Sequence, residues 1–116
     1  MWDEKLTITE SQGAQEGERI LRLNGPITIT TLFALRDTMR AEKAAKTLIL
    51  DFSQVPYVDS AGVGVIVNAH VSCVNSGRRV VLVAVNDRVR TLMKNTRVDE
   101  VLAIFPTLEE ALSAMQ

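Results

Sequence analysis

The residues best suited to chemistry are Asp59, Ser60, Gly62 and Gly64, within the stretch Val58–Val67, VDSAGVGVIV. An acid and a hydroxyl stand at the mouth of what reads as an apolar helix, with two glycines in its first turns. Glycine inside a helix costs up to about 1 kcal/mol relative to alanine, so the pair needs a reason. One reading makes Ser60 the N-cap, its hydroxyl accepting an N–H from Gly62 or Val63, worth about 1 kcal/mol. That accounts for the serine and leaves the glycines unexplained. A second reading uses the free N–H groups and positive dipole end of a helix N-terminus, which favour an anion such as a phosphate. Gly62 and Gly64 would then omit side chains that keep another protein's backbone, or a nucleotide, away from the Ser60 hydroxyl. Residue chemistry alone weights the two readings equally.

Enzymatic readings of the same patch fail. A nucleophile elbow needs glycine two residues before and two after the serine; Gly62 follows, but Val58 precedes. The single histidine, His70, lies ten residues on, about 15 Å along the helix axis, too far to act as its base. It falls in the apolar arc of Val63, Ile66, Val67, Cys73 and Val74, and reads as a partly buried structural residue. No Gly-Lys-Ser/Thr follows to make a phosphate-binding loop. Asp51 has the strand-end position of a receiver-domain phosphoacceptor, but the further carboxylates that would hold Mg²⁺ are missing. It reads instead as a strand-end residue bonding the SQVPY turn. Val65 points away from the apolar arc, beside Gly64 and close to Ser60, and joins the patch as a partner contact. Arg88, Arg90, Lys94 and Arg97 read as the solvated face of a later helix.

Positioning Ser60 falls to the elements around it. Segments 5–9 (KLTIT) and 19–23 (RILRL) alternate apolar and polar residues, as half-buried strands do. Between them SQGAQEGE reads as a hairpin loop, and Asn24-Gly25-Pro26 ends the second strand. One of Thr28, Thr30 and Thr31 is expected to cap a helix over LFALRDTMRAEKAA, whose Leu32, Leu35 and Met39 share a face. The run TLILDF at 47–52 suits a central strand. The helix of Ser60 spans 60–75 and ends at Ser76-Gly77. Residues 79–85 form a buried strand, Asn86 or Asp87 caps RVRTLMKN, and 101–105 give the last strand. Thr107 and Glu110 have capping-box spacing for the helix LEEALSAM. The order β-β-α-β-α-β-α-β-α predicts an α/β fold. One domain over 1–116 is expected, with a mixed sheet of four or five strands and helices packed mainly on one face. The helices near 31–44 and 60–75 belong on its buried face.

Composition narrows the function. The chain has 116 residues, 47% apolar and 23% charged, which is the balance of one globular domain. A net charge of −1 argues against nucleic acid, whose binding needs a basic surface. No apolar run approaches a membrane span, and MWDEKL carries no leader pattern. Cys73 is the single cysteine, so no internal disulfide and no thiolate metal cluster can form, and the expectation is a cytoplasmic protein.

The stretch LILDFSQVPYVDSAGVGVIV resembles the STAS domain family, specifically bacterial anti-sigma factor antagonists. Those proteins carry a strand ending in Asp-Leu-Ser, a short loop with an aromatic, then Asp-Ser-Ser/Thr-Gly-Leu-Gly opening an apolar helix. The corresponding pieces here are Asp51-Phe52-Ser53, Tyr57 and Asp59-Ser60-Ala61-Gly62-Val63-Gly64. The segment GRRVVLVAVNDRVRTLMKNTRVDEVLAIFPTLEEAL is similar to the family's second half, so the likeness covers nearly the whole chain.

The resemblance implies a non-catalytic switch. In such antagonists the serine after the aspartate is phosphorylated by an anti-sigma factor that is also a GHKL-type serine kinase. The unphosphorylated form binds that kinase and frees the sigma factor. Carried over, Ser60 is the phosphoacceptor, and Thr28, Asp59, Ala61, Gly62, Gly64 and Val65 contact the kinase. No cofactor, metal, nucleic acid or membrane span is implied, and a homodimer is left open. The family's Gly-Glu-Leu-Asp after the second strand is here Gly25-Pro26-Ile27-Thr28, which keeps an acceptor oxygen but not the charge. That change favours an alternative, a STAS docking subunit of a transporter complex without a phosphorylation cycle. Nucleotide binding at the same helix mouth is a third reading.

Overall fold

A computed structural model describes residues 4–115. Residues 1–3, which begin the MWDEKL stretch, and Gln116 lie outside the described residues. The chain runs β1 (Thr7–Gln12), β2 (Glu18–Asn24), α1 (Leu32–Ala41), β3 (Thr47–Gln54), α2 (Ser60–Asn75), β4 (Arg79–Val83) and α3 (Asp87–Asn95). A 3₁₀ turn (Val98–Glu100), β5 (Ala103–Phe105) and α4 (Leu108–Ala114) complete it. The predicted order of elements is the observed one. The first strand starts two residues later than expected, and the last strand keeps only three residues because the 3₁₀ turn occupies the approach to it.

The five strands lie in the sheet in chain order, β1 antiparallel to β2 and the remaining neighbours parallel. A tight loop with Gly17 at φ +86° suffices for the antiparallel pair, whereas parallel neighbours need a crossover helix. Successive right-handed crossovers moving in one direction across a sheet put every connecting helix on the same face. That is where α1, α2 and α3 sit. Leu35 and Met39 of α1, Val63 and Ile66 of α2, and Val89 and Met93 of α3 share one core with Leu21, Leu23, Leu48, Leu50, Phe52, Val80 and Leu82. The alternate strand residues Ile20, Ile49, Val81 and Val83 form the opposite core, covered by Ala111 and its neighbours in α4. Strand β3 is therefore buried on both faces, as its unbroken apolar run requires.

Thr31 stands at the N-cap position of α1, but its hydroxyl does not cap the helix. It donates to Pro26 O (2.8 Å) and accepts from Thr28 N (2.9 Å), folding the 26–31 segment on itself. Among the described residues no helix is long and apolar enough to cross a membrane.

Candidate functional site

The site lies where the chain leaves β3 and enters α2. Val58 forms a single parallel bridge with Ile27 in the loop after β2. Ile27 N donates to Tyr57 O (3.2 Å), and Asp59 N donates to Ile27 O (3.1 Å). Two loops more than thirty residues apart are thereby zipped together beneath the mouth of α2.

Asp59 holds this junction. Its backbone is extended (φ −97°, ψ 178°), and it is the N-cap of α2. One carboxylate oxygen, Oδ1, accepts from Gly62 N at 2.8 Å; the other, Oδ2, accepts from Ile29 N at 3.0 Å. A single side chain thus satisfies a first-turn donor and anchors the 26–31 loop. The expectation that Ser60 caps the helix is corrected by one residue. Aspartate and serine are equally good caps, and the extended residue is Asp59, so it takes the role.

Ser60 becomes the first helical residue, with its side chain exposed and free of hydrogen bonds to the described residues. The N–H groups of Ser60 and Ala61 come before Val63, the first amide of α2 with an intrahelical acceptor (Asp59 O, 3.0 Å), and the dipole of a 16-residue helix is directed at them. Thr28 is brought to the same place, one residue from the Ile29 amide that Asp59 holds. Its hydroxyl sits 3.0 Å from that of Thr30 and accepts from Thr30 N at 3.3 Å.

The two glycines have different causes. A Cβ on Gly62 would lie 2.4 Å from Ile27 O and 2.8 Å from a Val58 methyl. Gly62 is buried, and its missing side chain lets the Ile27 loop cross the helix. This corrects the reading of Gly62 as an opening for a ligand. A Cβ on Gly64 would meet nothing within 4 Å, so no internal packing demands a glycine there.

Val65 also departs from expectation. It packs half-buried against the main core and lines a cleft between α1 and α2, because that flank of α2 faces α1. Sequence reasoning missed Ile29, 61% exposed at this junction, and Phe33, 51% exposed in the first turn of α1. The available signal was that Phe33 falls off the Leu32-Leu35-Met39 face and that Ile29 stands among threonines ahead of the helix.

Around the site, Tyr57 donates its hydroxyl to the Glu4 carboxylate, and that bond raises the phenol above its usual value of 10.0. The Arg88 guanidinium lies 5.0 Å from the Tyr57 ring centre, so Arg88 covers an aromatic face as well as meeting solvent. Asp51 is not at the end of its strand, which continues to Gln54. Its carboxylate accepts from Ser53 N (2.9 Å) and pairs with Arg22 (3.6 Å), a local structural role. His70 is half-buried as expected, with Nδ1 unpartnered among the described residues. No group of three or more metal-ligating side chains occurs among the described residues.

Known proteins share this arrangement of elements. A STAS domain profile matches residues 6–111. The TM1081 homolog of Thermotoga neapolitana, a candidate anti-sigma factor antagonist, is 35% identical over 74 residues, 64% of this chain and 66% of that protein. The aligned stretch thus spans just under two thirds of that relative's length. The crystal structure of TM1081 from Thermotoga maritima, a candidate antagonist of the same kind, superposes with a TM-score of 0.82 at 25% identity over 92% of both chains. The anti-sigma factor antagonist SpoIIAA, in its unphosphorylated form, superposes with a TM-score of 0.79 over 94% of this chain and 96% of its own. At 19% identity that likeness is one of fold alone. The same Bacillus protein has also been determined in a phosphorylated form.

Proposed function

The chain belongs to the STAS domain family, and on that premise we propose that it is a phosphorylation-controlled antagonist of an anti-sigma factor in the cytoplasm. The observation that carries the reading is Ser60 itself: an exposed hydroxyl at the first position of α2, capped by its neighbour and bonded to none of the described residues. The unphosphorylated surface presents Ser60 beside the bare backbone of Gly64, with the exposed Ile29 across the junction. An anti-sigma factor serine kinase docks there, and Thr28, Asp59 and Ala61 border the contact. In the transfer step the Ser60 Oγ attacks the γ-phosphorus of the kinase's ATP, the bond to the β-phosphate oxygen breaks, and the hydroxyl proton passes to the kinase. The products are phosphoserine and ADP.

Phosphorylation adds a charge of about −1.5 to −2. The dipole and free N–H groups of α2 favour that charge by about 0.3–1 kcal/mol, offsetting part of the repulsion from Asp59. A partner packed on the site has no such compensation, because an unpaired desolvated charge in an interface costs several kcal/mol. The fold survives the modification and the complex does not.

The test is phosphate transfer by the cognate kinase, mapped by mass spectrometry. One phosphate on Ser60, absent from Ser60→Ala, is expected, and Thr28→Asp is expected to speed the transfer by restoring a carboxylate. Transfer to Thr28, Thr30 or Thr31 instead would move the acceptor. No transfer, together with co-purification of a membrane transporter, would favour the docking-subunit reading.

A further inference from the structure

A second feature lies along α2, away from Ser60, in the cleft between the later turns of α1 and α2. The cleft encloses about 250 Å³. Its floor is apolar: Met39, Leu48 and Cys73 from the core, with the half-buried Val65 at one side. Its rim is cationic, carrying Arg36, Arg40, Lys43 and Arg78. The chain as a whole has 13 basic and 14 acidic residues, yet four of the basic ones and none of the acidic ones line this cleft.

Two of these cations have structural duties. Arg78 donates to Ala45 O (2.6 Å) and Glu42 O (2.7 Å), tying the end of α1 to the approach of β4. Arg36 pairs with Asp37 at 3.2 Å and lies over the Phe33 ring. Arg40 and Lys43 pair with no carboxylate among the described residues. Complementing the C-terminal end of α1 needs one such charge in the last turn, and Arg40 supplies it. Lys43 remains without a carboxylate partner among the described residues, above a floor where core side chains border the cleft.

An apolar hollow beneath unneutralised cations matches one ligand chemistry. The hydrocarbon part buries against Met39, Leu48 and Val65, and a negative head meets Arg40 and Lys43. We propose that this cleft binds an anionic amphiphile, a medium-length alkyl chain ending in a carboxylate or phosphate. The volume lies just below the roughly 300 Å³ at which ligand pockets commonly begin, so a single short chain fits and a two-chain lipid does not. The site is independent of Ser60 and of the anti-sigma reading.

The experiment is a titration of the isotope-labelled full chain at low salt, followed by amide chemical shifts, with decanoate, decyl phosphate, decanol and inorganic phosphate as separate probes. Decanoate and decyl phosphate are expected to shift the amides of 39–43, 65–73 and 78 and to saturate. Decanol and inorganic phosphate are each expected to bind at least about tenfold more weakly, since each supplies half of the complementarity. Of the two head groups, the one that binds more tightly identifies the physiological class. Arg40→Glu combined with Lys43→Glu is expected to weaken decanoate about tenfold or more, less so at high salt. Both side chains are exposed, so the double variant is expected to stay folded with its melting temperature lowered by no more than a few degrees for the lost charge at the end of α1, and Ser60→Asp is expected to leave decanoate affinity unchanged. Decanol binding as tightly as decanoate, or inorganic phosphate doing so, would overturn the proposal. So would equal shifts at the exposed Ile29 and Val101, the signature of general adsorption.

Discussion

The N-termini of α2 and α3 are built alike and finished differently. Each is capped by an Asx residue in extended conformation that accepts from the amide three positions on: Asp59 from Gly62 at 2.8 Å, Asn86 from Val89 at 2.8 Å. Each cap uses its second side-chain atom to hold a neighbouring loop. Asp59 takes Ile29 N, while the Asn86 amide donates to Val55 O and Pro56 O. The next residue is where they part. In α3 the first helical position carries Asp87, a permanent charge that suits the helix dipole. In α2 the same position carries Ser60, a neutral hydroxyl, and Gly62 and Gly64 follow. The molecule shows at α3 that this geometry accepts a fixed negative charge. At α2 the position is neutral and the flank bare, beside a cap that is itself charged, an arrangement that suits the phosphorylation proposed for Ser60.

The two mouths can be driven apart or made equal by substitution, and the largest effect belongs to Gly62. Gly62→Ala forces a Cβ against the Ile27 carbonyl and is expected to destabilise the fold by about 2–3 kcal/mol, read from denaturant unfolding. The equivalent position in α3 holds Val89, already a buried core side chain, so the crowding that demands glycine is peculiar to α2. Removing the caps comes next. Asp59→Ala and Asn86→Ala are each expected to cost about 1–2 kcal/mol. Asp59→Ala also frees the 26–31 loop, so faster amide exchange at Ile29 is expected there and not in Asn86→Ala. Gly64→Ala runs the other way: with open space at the Cβ it is expected to stabilise α2 by up to about 1 kcal/mol. If Gly64 is bare for a partner, that gain accompanies weaker partner binding. A stabilised variant that binds as well as wild type would leave Gly64 without a functional reason.

Much of this was readable from residue order. The alternation in RILRL, the double-sided run TLIL and the face of Leu32, Leu35 and Met39 each report a local period, and the fold follows those periods. What the sequence withheld depends on contacts between distant segments. Gly62 is small because Ile27, thirty-five positions earlier, passes over it, and no local pattern records that crossing. The shift of the cap from Ser60 to Asp59 is a one-residue ambiguity between two good capping residues, resolved by the second bond from Asp59 to Ile29. Val65 was misplaced because the arc read from α2 alone omits the α1 surface beside it.

The most direct test of the central claim is calorimetric titration of the cognate anti-sigma kinase with Ser60→Asp and Ser60→Ala, with thermal unfolding of both variants alongside. Ser60→Asp places at α2 the charge that Asp87 supplies at α3, but beside the Asp59 carboxylate where α3 has the neutral Asn86; the helix dipole offsets part of that repulsion, so the loss of stability is expected to stay within about 1 kcal/mol. Because Asp59 provides the cap, Ser60→Ala is expected to be equally mild. The account predicts binding by Ser60→Ala at wild-type affinity and a loss of at least about a hundredfold for Ser60→Asp, the size of an unpaired charge in an interface. Equal binding by the two variants would contradict it, as would a Ser60→Asp protein that loses its partner only by losing its fold.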